Sequence, residues 1–131
     1  MRRYHSMKDL FLFLLFFVLP FLYWRSLFFL NRKTFDKPFT RIKTGLQVHH
    51  FHYGVVFVAI SALILVISGK NIFSLGFLGT GFGLILDEFI ASLQMPGNRP
   101  LELEIYRRTL LPTAVLFVAF VLIAVALFLL V

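Results

Sequence analysis

The chain has 131 residues, 60% hydrophobic and 15% charged, with a formal charge of +7 and no cysteine. A soluble domain carries roughly 45–50% apolar and about 25% charged residues, and a domain this small leaves much of its surface in water, so the excess apolar surface needs lipid. The lack of cysteine excludes disulfides and thiolate metal sites, and basic residues scattered between apolar runs point to anionic lipid headgroups and away from nucleic acid.

The first apolar run, 10–24, continues past Arg25 and Ser26 to Leu30, and predicts a helix over about 8–30. That suffices for the roughly 20 residues a bilayer crossing requires. Pro20 is expected to kink it, which membrane helices tolerate when neighbours satisfy the freed carbonyl. Tyr23 and Trp24 beside Arg25 read as an interfacial belt with a snorkelling cation. A basic start before an apolar core is also a signal-peptide pattern. The length of the run, its aromatic end and the lack of a small-residue cleavage site favour a retained helix.

Residues 31–48 hold Arg32, Lys33, Lys37, Arg41 and Lys43 with Pro38 and Gly45 as breakers, and read as a basic loop on the membrane surface. A second helix is expected over 49–68 and a third over 72–95. The short turn Gly69, Lys70, Asn71 between them makes a tight antiparallel hairpin. The segment 76–83, GFLGTGFG, contains Gly79-x-x-x-Gly83, and such small residues let helix backbones approach closely in lipid. Residues 96–108 read as a Pro-rich, acidic loop. Within it, Leu101, Glu102, Leu103, Glu104 and Ile105 alternate as an extended or interfacial segment does. A fourth helix follows over 109–131, with Pro112 in its first turn, where proline is tolerated.

The fold class expected is therefore all-α: a polytopic membrane protein, one transmembrane domain over 1–131, with four transmembrane helices. Helices one and four are expected to be lipid-facing support for the hairpin. Four Lys and Arg fall on the side of the N-terminus and the 69–71 turn, and nine on the side of the other two loops. Because cytoplasmic loops carry the excess, both termini are expected outside the plasma membrane.

Two polar groups interrupt this pattern. His49, His50 and His52 crowd the start of the second helix, and Asp87 and Glu88 lie inside the third. An unpaired charge there costs at least about 2.5 kcal/mol, so partners are expected. Ile72 to Asp87 rises about 22 Å at about 1.5 Å per residue, in a hydrocarbon core about 30 Å thick. Asp87 thus reaches the level at which the antiparallel second helix begins, on the cytoplasmic side. Since neighbouring residues diverge by about 100°, one or two histidines with one carboxylate form the expected core.

Imidazole with carboxylate suits zinc, iron or manganese, which makes His49, His50, His52, Asp87 and Glu88 candidate metal ligands. Haem held by two histidines is a weaker alternative. The plainer reading has the histidines hydrogen-bonding headgroups and the carboxylates paired with Arg25, Arg41 or Arg108. No HExxH, Gly-x-Ser-x-Gly or phosphate-loop motif is present.

The motifs His49-His50-Phe51-His52-Tyr53-Gly54 and Gly79-Thr80-Gly81 through Leu86-Asp87-Glu88-Phe89 resemble those of a family of small, uncharacterised prokaryotic integral membrane proteins. That family shows an HH-aromatic-x-aromatic-Gly start to one helix, a GxG run leading to LDEF in the next, and an acidic-aliphatic-Tyr element similar to Glu104-Ile105-Tyr106. The likeness covers roughly 47–106. It implies roles for His49, His50, Asp87 and Glu88, leaves His52 outlying, and brings no activity with it.

Two functions compete on these residues. One is a metal-dependent enzyme acting on a lipid, a hydrolase or oxidoreductase. Asp87 or Glu88 would serve as ligand or general base, while Arg41, Lys43, Arg107 and Arg108 steer a phosphate headgroup. The other is a non-enzymatic small subunit of a membrane complex, or a proton or ion pathway, since intramembrane acids and histidines build proton relays. In so short a chain a substrate pocket also raises the prospect of a homo-oligomer.

Overall fold

The structure is a computed structural model that describes residues 2–33, 48–94 and 99–130. Among them are five helices and no strand: α1 Arg2–Leu30, α2 His50–Ser68, α3 Ile72–Ser92, α4 Arg99–Arg108 and α5 Leu110–Leu130. Four are long and apolar enough to cross a membrane, namely Ser6–Leu30 within α1, and α2, α3 and α5. This is consistent with a multi-pass membrane protein. Residues 34–47, with Arg41, Lys43 and most of the expected basic loop, lie outside the described residues, as do 95–98.

The hairpin of α2 and α3 forms as expected, and its turn is specified locally. Gly69 leaves α2 at φ +72°, a left-handed conformation that glycine adopts without a Cβ penalty. Asn71 then caps α3: its side chain accepts from the amides of Phe73 and Ser74 at 2.9 and 3.0 Å, and Ser74 Oγ accepts from the Asn71 amide at 3.0 Å. This reciprocal pair satisfies donors that a helix start leaves open. Deeper in, the buried Ser61 hydroxyl donates to the Ser74 carbonyl at 2.7 Å. Lys70 on the turn meets Asp9 of α1 at 2.5 Å, which sets the start of α1 and the turn at one end of the bundle.

The glycines of α3 divide its surface. A Cβ on Gly81 would lie 2.8 Å from the Gly54 carbonyl oxygen, and one on Gly54 would lie 2.7 Å from that of Gly81, so this pair brings α2 and α3 into backbone contact. Gly79 and Gly83, one helical turn apart, do the same toward α1. A Cβ on Gly79 would lie 2.6 Å from the Phe13 carbonyl oxygen, and one on Gly83 would overlap that of Phe17. Gly81 stands about 200° from both in helical phase, so α1 and α2 clasp nearly opposite sides of α3. The expectation that α1 is mere lipid-facing support is therefore corrected: Phe17 is fully buried. Phe17 also packs on Phe117 and Phe120 of α5 at ring separations of 4.8 and 4.6 Å.

The segment 99–108 is a helix, not the loop with an extended stretch that its alternation predicts. Its buried residues Glu102, Leu103 and Tyr106 follow helical spacing. Leu103 and Tyr106 pack with Phe28 of α1 and Ala91 of α3 into one apolar cluster. Glu102, buried among them, disguises the period by placing a carboxylate on the inner face. Thr109, whose hydroxyl donates to the Ile105 carbonyl at 2.9 Å, joins α4 to α5.

These contacts make a graded prediction. Gly54→Ala and Gly83→Ala each force backbones apart and should lower stability by about 1–3 kcal/mol, as overpacking does. Gly76→Ala, whose Cβ would meet only Phe16 at an ordinary 3.7 Å, should be neutral or slightly stabilising because alanine favours helix. Thermal unfolding of the three variants in detergent checks the order.

Candidate functional site

The site grows from the rows of α3. Gly79, Gly83 and Asp87 lie at successive i+4 positions, so the row that packs on α1 carries Asp87 to it. One turn beyond the glycines α1 supplies Arg25. Its Nε donates to Asp87 Oδ1 at 2.7 Å, and its Nη2 donates to the Asp87 carbonyl at 2.9 Å and to Thr113 Oγ1 of α5 at 3.3 Å. Nη1 donates to the Tyr106 carbonyl of α4, and the guanidinium lies 3.7 Å from the centre of the Tyr106 ring. Arg25 is 3% exposed and Asp87 0%. The snorkelling cation expected at this position is thus corrected to a buried one, paired with Asp87 as the plainer reading of the carboxylates proposed. A fork of five donors suits Arg25 to hold four helices at once.

The second oxygen of Asp87 is equally engaged. Tyr106 donates its hydroxyl to Oδ2 at 2.6 Å, and His50 Nε2 lies 2.8 Å from the same atom. Burial, and then the negative charge of Asp87, push the Tyr106 hydroxyl well above its ordinary range. It therefore remains a donor throughout the working pH range. His50 lies flat against Trp24 of α1, with ring centres 5.1 Å apart and planes within 4°. Its Nδ1 lies 3.2 Å from Glu88 Oε1. One imidazole thus bridges both carboxylates. The expected core of one or two histidines with one carboxylate becomes one histidine with two, because residues diverging by about 100° can straddle a ring inserted from the start of the neighbouring helix.

Glu88 also caps α2. Its Oε2 accepts from the Phe51 amide at 3.2 Å, which places a negative charge at the positive end of the α2 dipole. His49 Nδ1 stands farther off, 3.8 Å from Glu88 Oε1. His52 points elsewhere: its Nδ1 accepts from the His49 amide at 3.1 Å, in an exposed local cap. Arg107 is exposed and paired with Glu104 at 2.7 Å, and Arg108 is exposed beside it. That hydrogen bond from Arg107 is the main cause holding the Glu104 carboxyl below its ordinary range.

These positions decide which sequence candidates meet. His50, Asp87 and Glu88 come together, His49 stands at the rim and His52 outside. Among the described residues no group of three or more His, Asp or Glu is arranged to hold a metal ion. The donor set does not fit one at Asp87, where Arg25, His50 and Tyr106 take up both oxygens. Trp24, Tyr106 and Thr113 are the members that sequence reasoning did not assign to the site, and Arg25 was named only as one of three candidate partners of the carboxylates. Arg25 carried the available signal, as a cation within an apolar stretch long enough to need a partner.

His50 also faces a cavity. A space of about 470 Å³ opens between α1 and α2, with Trp24, His50 and Leu84 among its walls. No protein family, curated protein or solved structure matches this chain.

The network sets an order of energetic effects. Arg25→Met leaves Asp87 buried and uncompensated, and should destabilise the fold by about 3–5 kcal/mol. Tyr106→Phe removes one hydrogen bond to a charged group and should cost about 1.5–3 kcal/mol. The double variant Arg25→Met/Asp87→Leu should recover much of the single-variant loss, because replacing both members of a buried pair is often neutral. Unfolding in detergent, read as a double-mutant cycle, measures the coupling.

Proposed function

We propose that this chain is a multi-pass membrane protein that acts on a phosphate-bearing lipid headgroup at the cytoplasmic interface by general acid–base chemistry centred on His50. The observation that carries the reading is that His50 touches both carboxylates, at 2.8 and 3.2 Å, and lines the α1–α2 cavity. Asp87, held in place by Arg25, keeps the proton on Nε2 and sets the ring's orientation, the role an aspartate plays behind a catalytic histidine. Nδ1 is then the working nitrogen. It gives a proton to, or takes one from, a water or headgroup oxygen, with Glu88 as the adjacent carboxylate that holds the proton in exchange. Trp24 keeps the ring in plane through that transfer.

The metal-dependent form of the reading is set aside because the oxygens of Asp87 are already engaged. The excess of Lys and Arg on the site's side supports a cytoplasmic site with both termini outside, and supports Arg107 and Arg108, with Arg41 and Lys43, as headgroup-steering cations. The resemblance to the small prokaryotic membrane family points to the same histidines and carboxylates.

A second reading, a proton relay within a membrane complex, is favoured by the string His49, Glu88, His50, Asp87 and Tyr106, in which successive groups lie within 3.8 Å. It needs a partner to complete the crossing, since the described residues along α3 between Gly76 and Leu84 offer only the Thr80 hydroxyl.

Purified protein in nanodiscs of anionic phospholipid, followed by mass spectrometry of the lipids, tests the proposal. Wild type should alter headgroups, and His50→Gln should slow this by about 10²–10⁴-fold, the usual range of a general acid–base contribution. A chelator should leave the rate unchanged. Headgroups untouched by wild type, together with proton flux in liposomes that Asp87→Asn abolishes, would favour the relay.

A further inference from the structure

We infer that Arg32, Arg107 and Arg108 dock the phosphate of one anionic phospholipid at the corner where the end of α1 meets the outer face of α4. The site goes beyond the acid–base reading and does not rest on it. Glu102, Leu103 and Tyr106 of α4 turn inward. Glu104, Arg107 and Arg108, at i, i+3 and i+4, share the outer face, and both arginines are exposed. The docked lipid is therefore held on the side of α4 that turns away from Tyr106, apart from any headgroup that reaches His50.

Glu104 organises this face. Its carboxylate takes two hydrogen bonds from Arg107, at 3.0 and 2.7 Å. The bonding to Arg107, with the charges of Arg107, Arg108 and Arg32 added to it, holds the Glu104 carboxyl below its ordinary range. Three guanidiniums thus gather about one carboxylate and leave positive charge in excess. Among the described residues, Arg107 alone of the three has a carboxylate within ion-pair distance. Nor do these cations cap an open helix end, since the amides of Thr109 and Thr113 continue the ladder into α5, donating to the Ile105 and Thr109 carbonyls at 3.0 Å.

The end of α1 supplies the third cation in a fixed place. The Arg32 guanidinium lies 5.8 Å from the centre of the Phe28 ring, within the range of cation–π attraction. Phe28 is buried and meets Tyr106 edge-on at 5.1 Å, so the ring that carries Arg32 is itself packed on α4. Arg32 stands about two turns beyond Arg25, and α1 thereby commits one arginine to the interior and the next to the surface. Apolar surface adjoins this charge: Phe29 and Leu30 precede Arg32, Leu101 lies one turn before Glu104, and all three are exposed. A phospholipid presents the complement, a phosphate beside an acyl chain, and guanidinium forks match phosphate oxygens. One exposed ion pair contributes little. Three arginines meeting one headgroup, with Arg107 braced by Glu104 and Arg32 by Phe28, lose less freedom on binding.

Lipid titration read by native mass spectrometry tests the site, with phosphatidylglycerol and phosphatidylcholine of identical acyl chains as probes. One phosphatidylglycerol per chain should stay bound, about tenfold more tightly than phosphatidylcholine. Arg32→Gln and Arg108→Gln should each weaken it by roughly tenfold, equivalent to about 1.4 kcal/mol. Both arginines are exposed, so the variants should fold. Arg108→Lys keeps the charge but loses the fork, and should also weaken docking. Lys8→Gln, which removes an exposed cation near the start of α1, should not. His50→Gln should leave docking intact, so that loss of turnover and loss of docking are read separately. Equal retention of the two lipids would overturn the inference. So would equal losses from Lys8→Gln and Arg108→Gln, or full retention by Arg108→Lys, since either result reduces the site to diffuse attraction of charge.

Discussion

The structure depends on one buried guanidinium. Arg25 projects from α1 into the end of the bundle and hydrogen-bonds to groups of α3, α4 and α5. A charge with 3% exposure is tolerated only where its donors find acceptors and its charge finds a counter-ion. Asp87 is that counter-ion, and the geometry Arg25 imposes on it determines what remains for His50. Packing on both sides of α3 delivers these groups. The Gly79 and Gly83 row brings α1 near enough for Arg25 to reach Asp87, while the pairing of Gly54 with Gly81 sets the start of α2 beside Glu88.

Such a network does not need to stabilise the fold strongly to be useful. Well-packed apolar side chains often match a buried ion pair in stability. What the pair fixes here is position: Asp87 cannot rotate while Arg25 and Tyr106 hold it, so His50 has one orientation. Glu88 accepts from one backbone amide and faces the imidazoles of His50 and, farther off, His49. In the acid–base chemistry proposed above, this asymmetry between adjacent carboxylates assigns orientation to Asp87 and proton transfer to Glu88.

The helices were legible because lipid imposes a simple rule on sequence: about 20 apolar residues for each crossing. The hairpin was legible from the three-residue turn, and with it the common depth of His50, Asp87 and Glu88. The rest required knowing which faces meet. Arg25 follows Tyr23 and Trp24, a pattern shared with cations that snorkel to an interface, and nothing in α1 alone says that Asp87 faces it. Helix α4 was hidden by Glu102, whose burial turns an inner position into an apparent outer one. His52 matched its neighbours in type, yet it turns back on the helix start, where local capping competes with more distant contacts.

The central claim is that His50 is held between two carboxylates in one orientation. Nitrogen-15 NMR of histidine side chains in nanodiscs reads this directly. The account predicts that among the four histidines the His50 ring shows a slowly exchanging Nε2 proton, which Asp87→Asn and Trp24→Leu perturb and Glu104→Gln does not. Rapid solvent exchange at all four rings, indifferent to Asp87→Asn, would contradict it.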